Sequence, residues 1–294
     1  GTSMLSNSNS KNTKLRFEHL EDRRLLAGNV TLELSAYDAR DVNITGDGEN
    51  NSIEIEMVSS DRLRVTGLGG TTVNGASFDE ITIDDDLRIK MNGGHDVVRI
   101  DNLELNMQSH SDRTVDLGGV HDMLCIDDTA VARYLRVDCS TGTDGVIIKD
   151  SAIGRDLEID LGDGEFTEGA HISFTDVYRH LLIEGGSGVD QVTVDDSWVS
   201  GQLNIDAGTG NDEITVQNSA ADYIHVWGRA GNDSVQISKN DVDFIYAGLG
   251  SGNDKLVVTG NGFSDLVLDG GAGSDSLTTQ WSNHKNPSNT IFGF

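Results

Sequence analysis

The sequence of 294 residues has little of what many protein classes depend on. It holds one proline, two cysteines and 5% aromatic residues, and it contains no run of 18 apolar residues. The missing apolar run predicts that no helix spans a membrane. Basic residues are scarce as well, because 21 Lys and Arg stand against 49 Asp and Glu, giving a net charge of -28. Such a surface repels nucleic acid and acidic polysaccharides, and it favours cations as partners.

Cysteine and histidine form no pattern that would define a compartment or a nitrogen- or sulfur-ligated metal site. Cys125 and Cys139 each lie in or beside a strand-like segment, where the simplest prediction is a small buried apolar residue. The histidines are scattered without the spacing of metal ligands, which predicts surface or turn positions.

What the chain has instead is a repeat. Between Leu203 and Leu277 a glycine-rich segment that ends in aspartate returns every 21 residues, at Asp212, Asp233, Asp254 and Asp275. A fixed period of this length marks a solenoid. Each period contains two short segments of alternating apolar residues around the glycine-rich corner, and none offers a helical stripe. The sequence therefore predicts an all-β, right-handed single-stranded parallel β-helix with about 21–22 residues per coil.

Two columns of acidic residues follow this repeat. Upstream of Asp212 the first column continues at Asp190, Glu168, Asp144, Asp122 and Asp96. The second column runs six residues ahead of the first, through Asp116, Asp138, Glu184, Asp206 and Asp269, with Asp160 in the same place of its coil. Lys90, Trp227 and Gly248 interrupt it. The marker spacing predicts about nine to eleven coils.

Stacked carboxylates need compensation. Equivalent residues of successive coils lie about 4.8 Å apart, and two charges about 5 Å apart repel by roughly 3 kcal/mol at an effective dielectric of about 20. In one interpretation the loops bind Ca²⁺, which prefers carboxylate and carbonyl oxygens. In the other, the aspartates accept hydrogen bonds from the backbone of their own turns and have raised pKa values, while Asn211, Asn232 and Asn253 form an amide ladder.

Charge also divides the chain. Residues 1–27 contain five Lys and Arg against three Asp and Glu, whereas the remainder contains 16 against 46. We predict a tail with a sorting-like motif over 1–28, the β-helix over 29–280 with irregular first coils, and a C-terminal cap or tail over 281–294. Aromatic and apolar residues of that last segment are expected to cover the open end of the stack.

The N-terminal segment resembles a known sorting motif. Phe17, Glu18, Leu20, Glu21, Arg23, Leu25 and Leu26 are similar to the LEPR-xLL motif of extracellular proteins of planctomycete bacteria, with Asp22 where the motif has proline. The resemblance implies export or cell-surface sorting, and hence an extracellular or cell-surface location. An ordinary helix that caps the solenoid is the alternative.

The repeat itself resembles another family. Gly185 to Thr193 and Gly270 to Thr278 fit the G-G-x-G-x-D-x-U-x nonapeptide of repeats-in-toxin (RTX, hemolysin-type) calcium-binding proteins. This resemblance implies Ca²⁺ ligands at Asp190, Asp212, Asp233, Asp254 and Asp275, and we include Asp206 and Asp269 of the second column as candidates. The family has two such loops per coil, whereas this chain has one per 21 or 22 residues, so that only one column of sites is available.

Three functions fit these observations. The first is an exported structural or adhesive module of a cell-surface protein, with calcium and an extracellular polysaccharide or protein as partners. The second is a carbohydrate-active enzyme, a polysaccharide lyase or glycoside hydrolase, by analogy of fold alone; its cations would come from Arg133, Arg136, Lys149, Arg155 and Arg179. The third is a module that folds only with calcium. Trp198, Trp227 and Tyr246 predict either inward packing or a sugar-binding platform, and no cluster of catalytic residues stands out.

Overall fold

The computed structural model describes residues 28–104, 113–280 and 288–294, with no side chains for 165–168 and 288. Within these ranges the chain has no helix and forms 28 strands. Parallel strands stack as a β-solenoid of about eight turns, which confirms the predicted fold class. The predicted sorting motif lies in residues 1–27, outside the described part of the chain.

The strands are short and follow one another closely. The first nine are β1 Asn29–Leu34, β2 Val42–Thr45, β3 Ser52–Ser59, β4 Arg62–Gly67, β5 Thr72–Val73, β6 Phe78–Thr82, β7 Leu87–Lys90, β8 Val97–Asp101 and β9 Arg113–Asp116. The next nine are β10 Met123–Asp127, β11 Ala130–Val131, β12 Leu135–Asp138, β13 Gly145–Lys149, β14 Ala152–Ile153, β15 Leu157–Asp160, β16 Asp163–Ser173, β17 Asp176–Val177 and β18 Leu181–Glu184. The last ten are β19 Ser187–Asp195, β20 Trp198–Asp206, β21 Glu213–Gln217, β22 Ala220–Trp227, β23 Ser234–Ser238, β24 Asp241–Gly248, β25 Lys255–Thr259, β26 Asp265–Asp269, β27 Ser276–Gln280 and β28 Ser288–Phe292.

Two sheets form the walls of the solenoid. The first sheet has 16 strands and runs β28-β26-β24-β22-β20-β18-β15-β12-β9-β7-β2-β1-β5, with β11, β14 and β17 beside this path. The second has 12 strands in the order β27-β25-β23-β21-β19-β16-β13-β10-β8-β3-β4-β6. Because the chain alternates between the sheets, every coil has one corner leading from the first sheet to the second and another leading back.

Apolar residues line the space between the sheets. In the first sheet Leu135, Leu157, Leu181, Leu203, Ile224, Ile245 and Leu266 pair in register from coil to coil. Each of them is buried, since alternate residues of a strand point to opposite faces. A buried side chain of this size contributes about 1.5–3 kcal/mol. The repeat therefore builds a continuous core in which each coil is covered by its two neighbours.

The N-terminal end adds antiparallel strands to the irregular first coils that the sequence predicts. Strands β3, β4 and β6 are joined antiparallel, and so are β1 and β2. Leu63 and Val65 of this antiparallel meander are fully buried, so that it covers the core at this end. Strands β2 and β3 also pair in parallel with β7 and β8, so that they form the first coil, and the antiparallel strands are added to it.

The C-terminal end presents strand edges. Strand β27 is the last of the second sheet and β28 the last of the first, where β28 pairs in parallel with β26. Ile291, Phe292 and Phe294 are exposed. Trp281, the other aromatic residue expected to contribute to the cover, lies outside the described residues.

Candidate metal centre

The first acidic column becomes a buried ladder at one corner of the solenoid. Its described members are Asp96, Asp122, Asp144, Asp190, Asp212, Asp233, Asp254 and Asp275, which we call the acidic ladder. Each follows the glycine-rich corner after a strand of the first sheet and points inward. All but the last are at most 4% exposed, and Asp275 is half-buried in the last regular coil.

Close contact between corners explains the glycines. Gly210 has φ of 152°, and a Cβ atom there would lie 1.5 Å from the carbonyl oxygen of Gly188 in the preceding coil. Only glycine has neither the steric cost of this conformation nor a side chain to clash. The corner can therefore stack directly on its neighbours, and the aspartate two residues later turns into the core.

One carboxylate oxygen of nearly every ladder aspartate accepts a hydrogen bond from the neighbouring coil. Seven backbone N–H groups, from Asn51 to Asp254, donate to the Oδ1 atom of the aspartate one coil further on, at 2.7 to 2.9 Å. Asp212, for example, donates from its backbone to Asp233 and accepts from the backbone of Asp190. The expected donors within the same turn were wrong, because the stacking places the neighbouring coil's N–H group nearer.

The second oxygen has no such partner. Oδ2 of all eight ladder aspartates is buried and accepts no hydrogen bond from the described residues, and Asp190 lacks a partner for Oδ1 as well. An unsatisfied buried carboxylate oxygen costs more than 1 to 3 kcal/mol. The metal ligands predicted from the sequence begin only at Asp190, whereas Asp96, Asp122 and Asp144 have the same geometry. Their shared spacing in the first column was the signal that could have extended the prediction.

Burial dominates the ionisation of the ladder. It raises the pKa of Asp96, Asp122, Asp190 and Asp233 to about 7 and that of Asp144 and Asp212 to about 6, and it also raises the pKa of Asp254. Charges on the neighbouring ladder aspartates further raise the pKa of Asp190 and Asp233. The hydrogen bond from the preceding coil lowers the pKa in part. The ladder carboxyls with pKa values of about 6 to 7 therefore titrate close to neutral pH.

The donor set suits a hard cation. A Cβ atom at Gly185 would lie 2.7 Å from Oδ2 of Asp190, and one at Gly228 would lie 2.5 Å from Oδ2 of Asp233, so that these oxygens lie against the glycine backbone. Carboxylate and carbonyl oxygens are what Ca²⁺ binds. No three carboxylates of the ladder converge within 4.8 Å, however, because three acids meet in this way among the described residues only at Asp38, Asp41 and Asp85. The ladder therefore offers a cation one unpartnered Oδ2 atom from the aspartate of each coil.

The second acidic column lies on the outer face of the first sheet and does not join the ladder. Its register is as predicted, with Asp206 followed by Trp227, Gly248 and Asp269 on successive strands. Asp206 and Asp269 are thus three coils apart. Asp206 pairs with Arg229, and Asp269 accepts a hydrogen bond from Gly271 at 2.9 Å. The structure therefore does not bring these two candidates together.

A second buried ladder, at the opposite corner, was missed. Its members are Thr129, Ser151, Thr175, Ser197, Ser219, Asn240 and Asn261, which we call the neutral ladder. They are at most 5% exposed. Five backbone N–H groups donate to the side-chain oxygens one coil ahead at 2.8 to 3.2 Å, and each member donates to a backbone carbonyl. The recurrence of Ser, Thr or Asn at the coil period was the available signal.

The remaining predicted side chains have definite places. Asn211, Asn232 and Asn253 do form an exposed ladder, in which the amide oxygen of each accepts from the backbone of the next coil at 2.7 to 3.0 Å. Cys139 is buried and Cys125 is half-buried.

The cations considered for a lyase are engaged with neighbouring groups. Arg136, Lys149 and Arg179 pair with acids at 2.7 to 3.2 Å. Arg133 and Arg155 both lie over the Tyr134 ring, at 4.9 and 5.3 Å.

The three-carboxylate cluster near the N-terminal end was also missed. Arg40 contacts Asp38 at 2.9 Å and Asp85 at 3.2 Å, and Arg88 contacts Asp41 at 2.8 Å. Guanidinium groups therefore already neutralise this cluster. The run Asp84-Asp85-Asp86 in the sequence was the signal that could have revealed it.

Comparison with known proteins assigns no identity, because no family model, no curated protein and no solved structure matches the chain. In the described ranges, 28–104, 113–280 and 288–294, no helix is long and apolar enough to cross a membrane.

Proposed function

We propose that this chain is a structural module of a bacterial cell-surface protein, a rod whose coils are held together by Ca²⁺ at the acidic ladder. The observation that carries the proposal is the row of buried Oδ2 atoms without partners. A rod built from neutral corners alone would not need these carboxylates, since the neutral ladder satisfies the same backbone contacts. Carboxylates in this position stabilise the fold only when a positive charge neutralises them.

Calcium is the cation that the setting favours. Extracellular modules bind Ca²⁺ with dissociation constants of about 10⁻⁴ to 10⁻³ M, which matches sites with few carboxylates. The resemblance of the repeat to RTX-type proteins and of the N-terminal segment to a sorting motif supports a location where calcium is abundant. A module of this kind would be loose inside the cell and rigid outside it.

Thermal unfolding of the full chain tests the proposal. Far-UV circular dichroism would be followed in EDTA, in about 5 mM Ca²⁺ and in Mg²⁺ at the same concentration. At 100 times its dissociation constant a single Ca²⁺ adds about 2.7 kcal/mol, so that the midpoint should rise by at least about 5 °C in calcium and by less in magnesium.

A matched pair of variants locates the effect. Replacing both Asp212 and Asp233 with Asn should remove much of the response to calcium, because two ladder rungs lose their charge. The control replaces Asp222 and Asp243, which are exposed, and should respond like the wild type. Superimposed curves in EDTA and calcium for the wild type would overturn the proposal and leave a metal-independent rod.

A further inference from the structure

An aromatic patch covers part of the outer face of the first sheet. On β22 the outward residues are Tyr223, His225 and Trp227, and on β24 they are Phe244 and Tyr246. The His225 ring lies 5.6 to 6.2 Å from the rings of Trp227, Phe244, Tyr246 and Tyr223. Trp227 and Tyr246 were expected to pack inward or to form a platform, and they point outward. These five adjoining aromatic rings lie on a face of the sheet that is acidic elsewhere. Packing of the core does not require them.

The acidic column is interrupted at this patch and makes room for it. Trp227 and Gly248 occupy the two positions between Asp206 and Asp269 on neighbouring strands. The Tyr246 phenol lies over Gly248, since a Cβ atom there would be 2.5 Å from the tyrosine oxygen and 3.0 Å from two ring carbons. The missing side chain at Gly248 therefore lets the ring lie down along the sheet.

A groove of about 360 Å³ opens beside these two rings. Trp227, Tyr246 and Gly248 line it together with Arg229 and Asp269. The Trp227 and Tyr246 rings are 5.9 Å apart and inclined by 46°, so that they form two walls of a wedge. Binding sites for small ligands have this composition, namely apolar walls with a few polar groups that fix orientation.

Arg229 lies at the groove in a left-handed backbone conformation that residues other than glycine disfavour. Its φ is 73°, whereas the equivalent positions in neighbouring coils are Gly208 and Gly250. A residue with a Cβ atom in this conformation costs about 1–2 kcal/mol, and such strain is typical of functional positions. The guanidinium pairs with Asp206 and lies 5.8 Å from the centre of the Trp227 ring. Arginine thus replaces glycine at this corner and places a hydrogen-bond donor at the rim of the groove.

We infer that this groove binds a neutral pyranose unit of a polysaccharide. The apolar C–H faces of a sugar ring pack on Trp and Tyr rings, and its hydroxyls can donate to Asp269 and accept from Arg229. An acidic sugar would meet Asp206, Asp269 and a chain with a net charge of -28. A cationic sugar would be attracted by that net charge, but in the groove it would meet the Arg229 guanidinium, which repels it. The site is independent of the acidic ladder, because it lies on the outer face of the sheet.

Titration with defined oligosaccharides tests the inference. Cellohexaose, laminarihexaose and mannohexaose serve as neutral probes, with hexagalacturonate as the acidic probe and chitosan hexamer as the cationic one. Binding would be followed by isothermal titration calorimetry and by tryptophan fluorescence on the full chain in calcium. At least one neutral hexamer is expected to bind with a dissociation constant below about 1 mM.

Variants separate the groove from the rest of the surface. Trp227→Ala should weaken binding at least tenfold, and Gly248→Ala should weaken it by displacing the Tyr246 ring. Arg229→Gly should weaken binding about three- to tenfold while the unfolding midpoint stays the same or rises, a combination that a merely structural arginine would not produce. Trp198→Ala is the control, because Trp198 is an exposed tryptophan that pairs with Tyr178 elsewhere, and it should bind like the wild type.

Four results would overturn the inference. No binding of any neutral hexamer at millimolar concentration removes the site, and equal binding by Trp227→Ala moves it elsewhere. Tighter binding of hexagalacturonate or chitosan hexamer than of every neutral probe would show that the assigned sugar class is wrong. A concentration-dependent dimer that dissociates in Trp227→Ala, without sugar binding, would assign the patch to a contact between two copies of the chain.

Discussion

The two corners of the solenoid connect neighbouring coils by the same hydrogen bond but with different side chains. At both, the inward residue accepts a hydrogen bond from the backbone of the preceding coil, through Oδ1 of Asp233 at one corner and Oδ1 of Asn261 at the other. At the neutral corner the other polar atom of each side chain donates to a backbone carbonyl, as Nδ2 of Asn261 does to Ile237. At the acidic corner Oδ2 cannot donate unless it is protonated.

The difference shows what the acidic corner adds. Backbone contacts between coils need only a side-chain oxygen, and Ser, Thr or Asn supplies it without charge. The carboxylates of the acidic ladder bring a second oxygen and a desolvation cost at every coil. That cost has to be offset by protons or by a cation. The stability of the acidic corner therefore depends on pH and on cations in solution, whereas that of the neutral corner does not. The predictions below change the ionisation, the chemistry and the backbone of these corners in turn.

The largest effect is expected from pH in the absence of metal. The ladder carboxyls have pKa values of about 6 to 7 in the folded chain against 3.8 in the reference state. A raised pKa contributes stability that is complete below pH 4 and is lost as pH rises to about 7. One pKa unit corresponds to about 1.4 kcal/mol, so we expect urea unfolding in EDTA to show a loss of at least ~3 kcal/mol between pH 4 and pH 8.

Two controls make this measurement specific. In the Asp212→Asn and Asp233→Asn double variant the loss between pH 4 and pH 8 should be smaller, and saturating calcium should reduce it in the wild type. The pKa values of Asp47, between β2 and β3, and of Glu80 in the N-terminal meander are lowered from their ordinary values of 3.8 and 4.5, so their contribution is present above those values and is lost as pH falls below them. Stability that rises steadily from pH 4 to pH 8 in EDTA would contradict the account of the ladder.

The next effect comes from moving a charge to the neutral corner. Ser219 is 3% exposed, accepts a hydrogen bond from Ser197 and donates to Gln217. Ser219→Asp places a carboxylate where no glycine-rich corner surrounds it, and we expect a loss of about 3 kcal/mol at pH 7.5 from desolvation and the missing donor. Ser219→Asn should cost less than about 1 kcal/mol, because Asn240 occupies the same place one coil further on.

Urea unfolding at pH 7.5 and at pH 4.5 measures both variants. The deficit of Ser219→Asp relative to Ser219→Asn should shrink at pH 4.5, where the buried acid is protonated. If the two variants were equally stable at pH 7.5, the neutral corner would tolerate charge as well as the acidic one does, and the contrast between the corners would be wrong.

The sequence predicted the repeat well and the contacts between repeats poorly. Period and alternation determine which residues face inward, so the β-solenoid and the register of the second acidic column, with its interruptions at Trp227 and Gly248, could be predicted. The donor to each ladder aspartate could not, because it comes from a residue 21 to 45 positions away and depends on how corners stack. The antiparallel meander of β3, β4 and β6 was hidden for a related reason, since alternating strands look the same in parallel and antiparallel pairs.

The smallest effect concerns the backbone of the acidic corner. Val120 has φ of 87°, and it occupies the place that Gly142, Gly188 and Gly210 fill in later coils. A β-branched residue rarely adopts this conformation, and Val120 is 45% exposed, so its side chain contributes little packing. Val120→Gly should therefore stabilise the chain, by about 1 kcal/mol, even though glycine costs more entropy on folding.

Val120→Ala separates the two causes of that gain. Alanine removes the branching but keeps the Cβ atom, so a smaller gain than that of Val120→Gly is expected in urea unfolding at pH 4.5, where the ladder is protonated and does not obscure the comparison. A loss of stability in Val120→Gly would mean that the valine packs against the neighbouring corner. In that case the first acidic corners would be held by side-chain contacts, and only the later ones by the close backbone stacking that glycine permits.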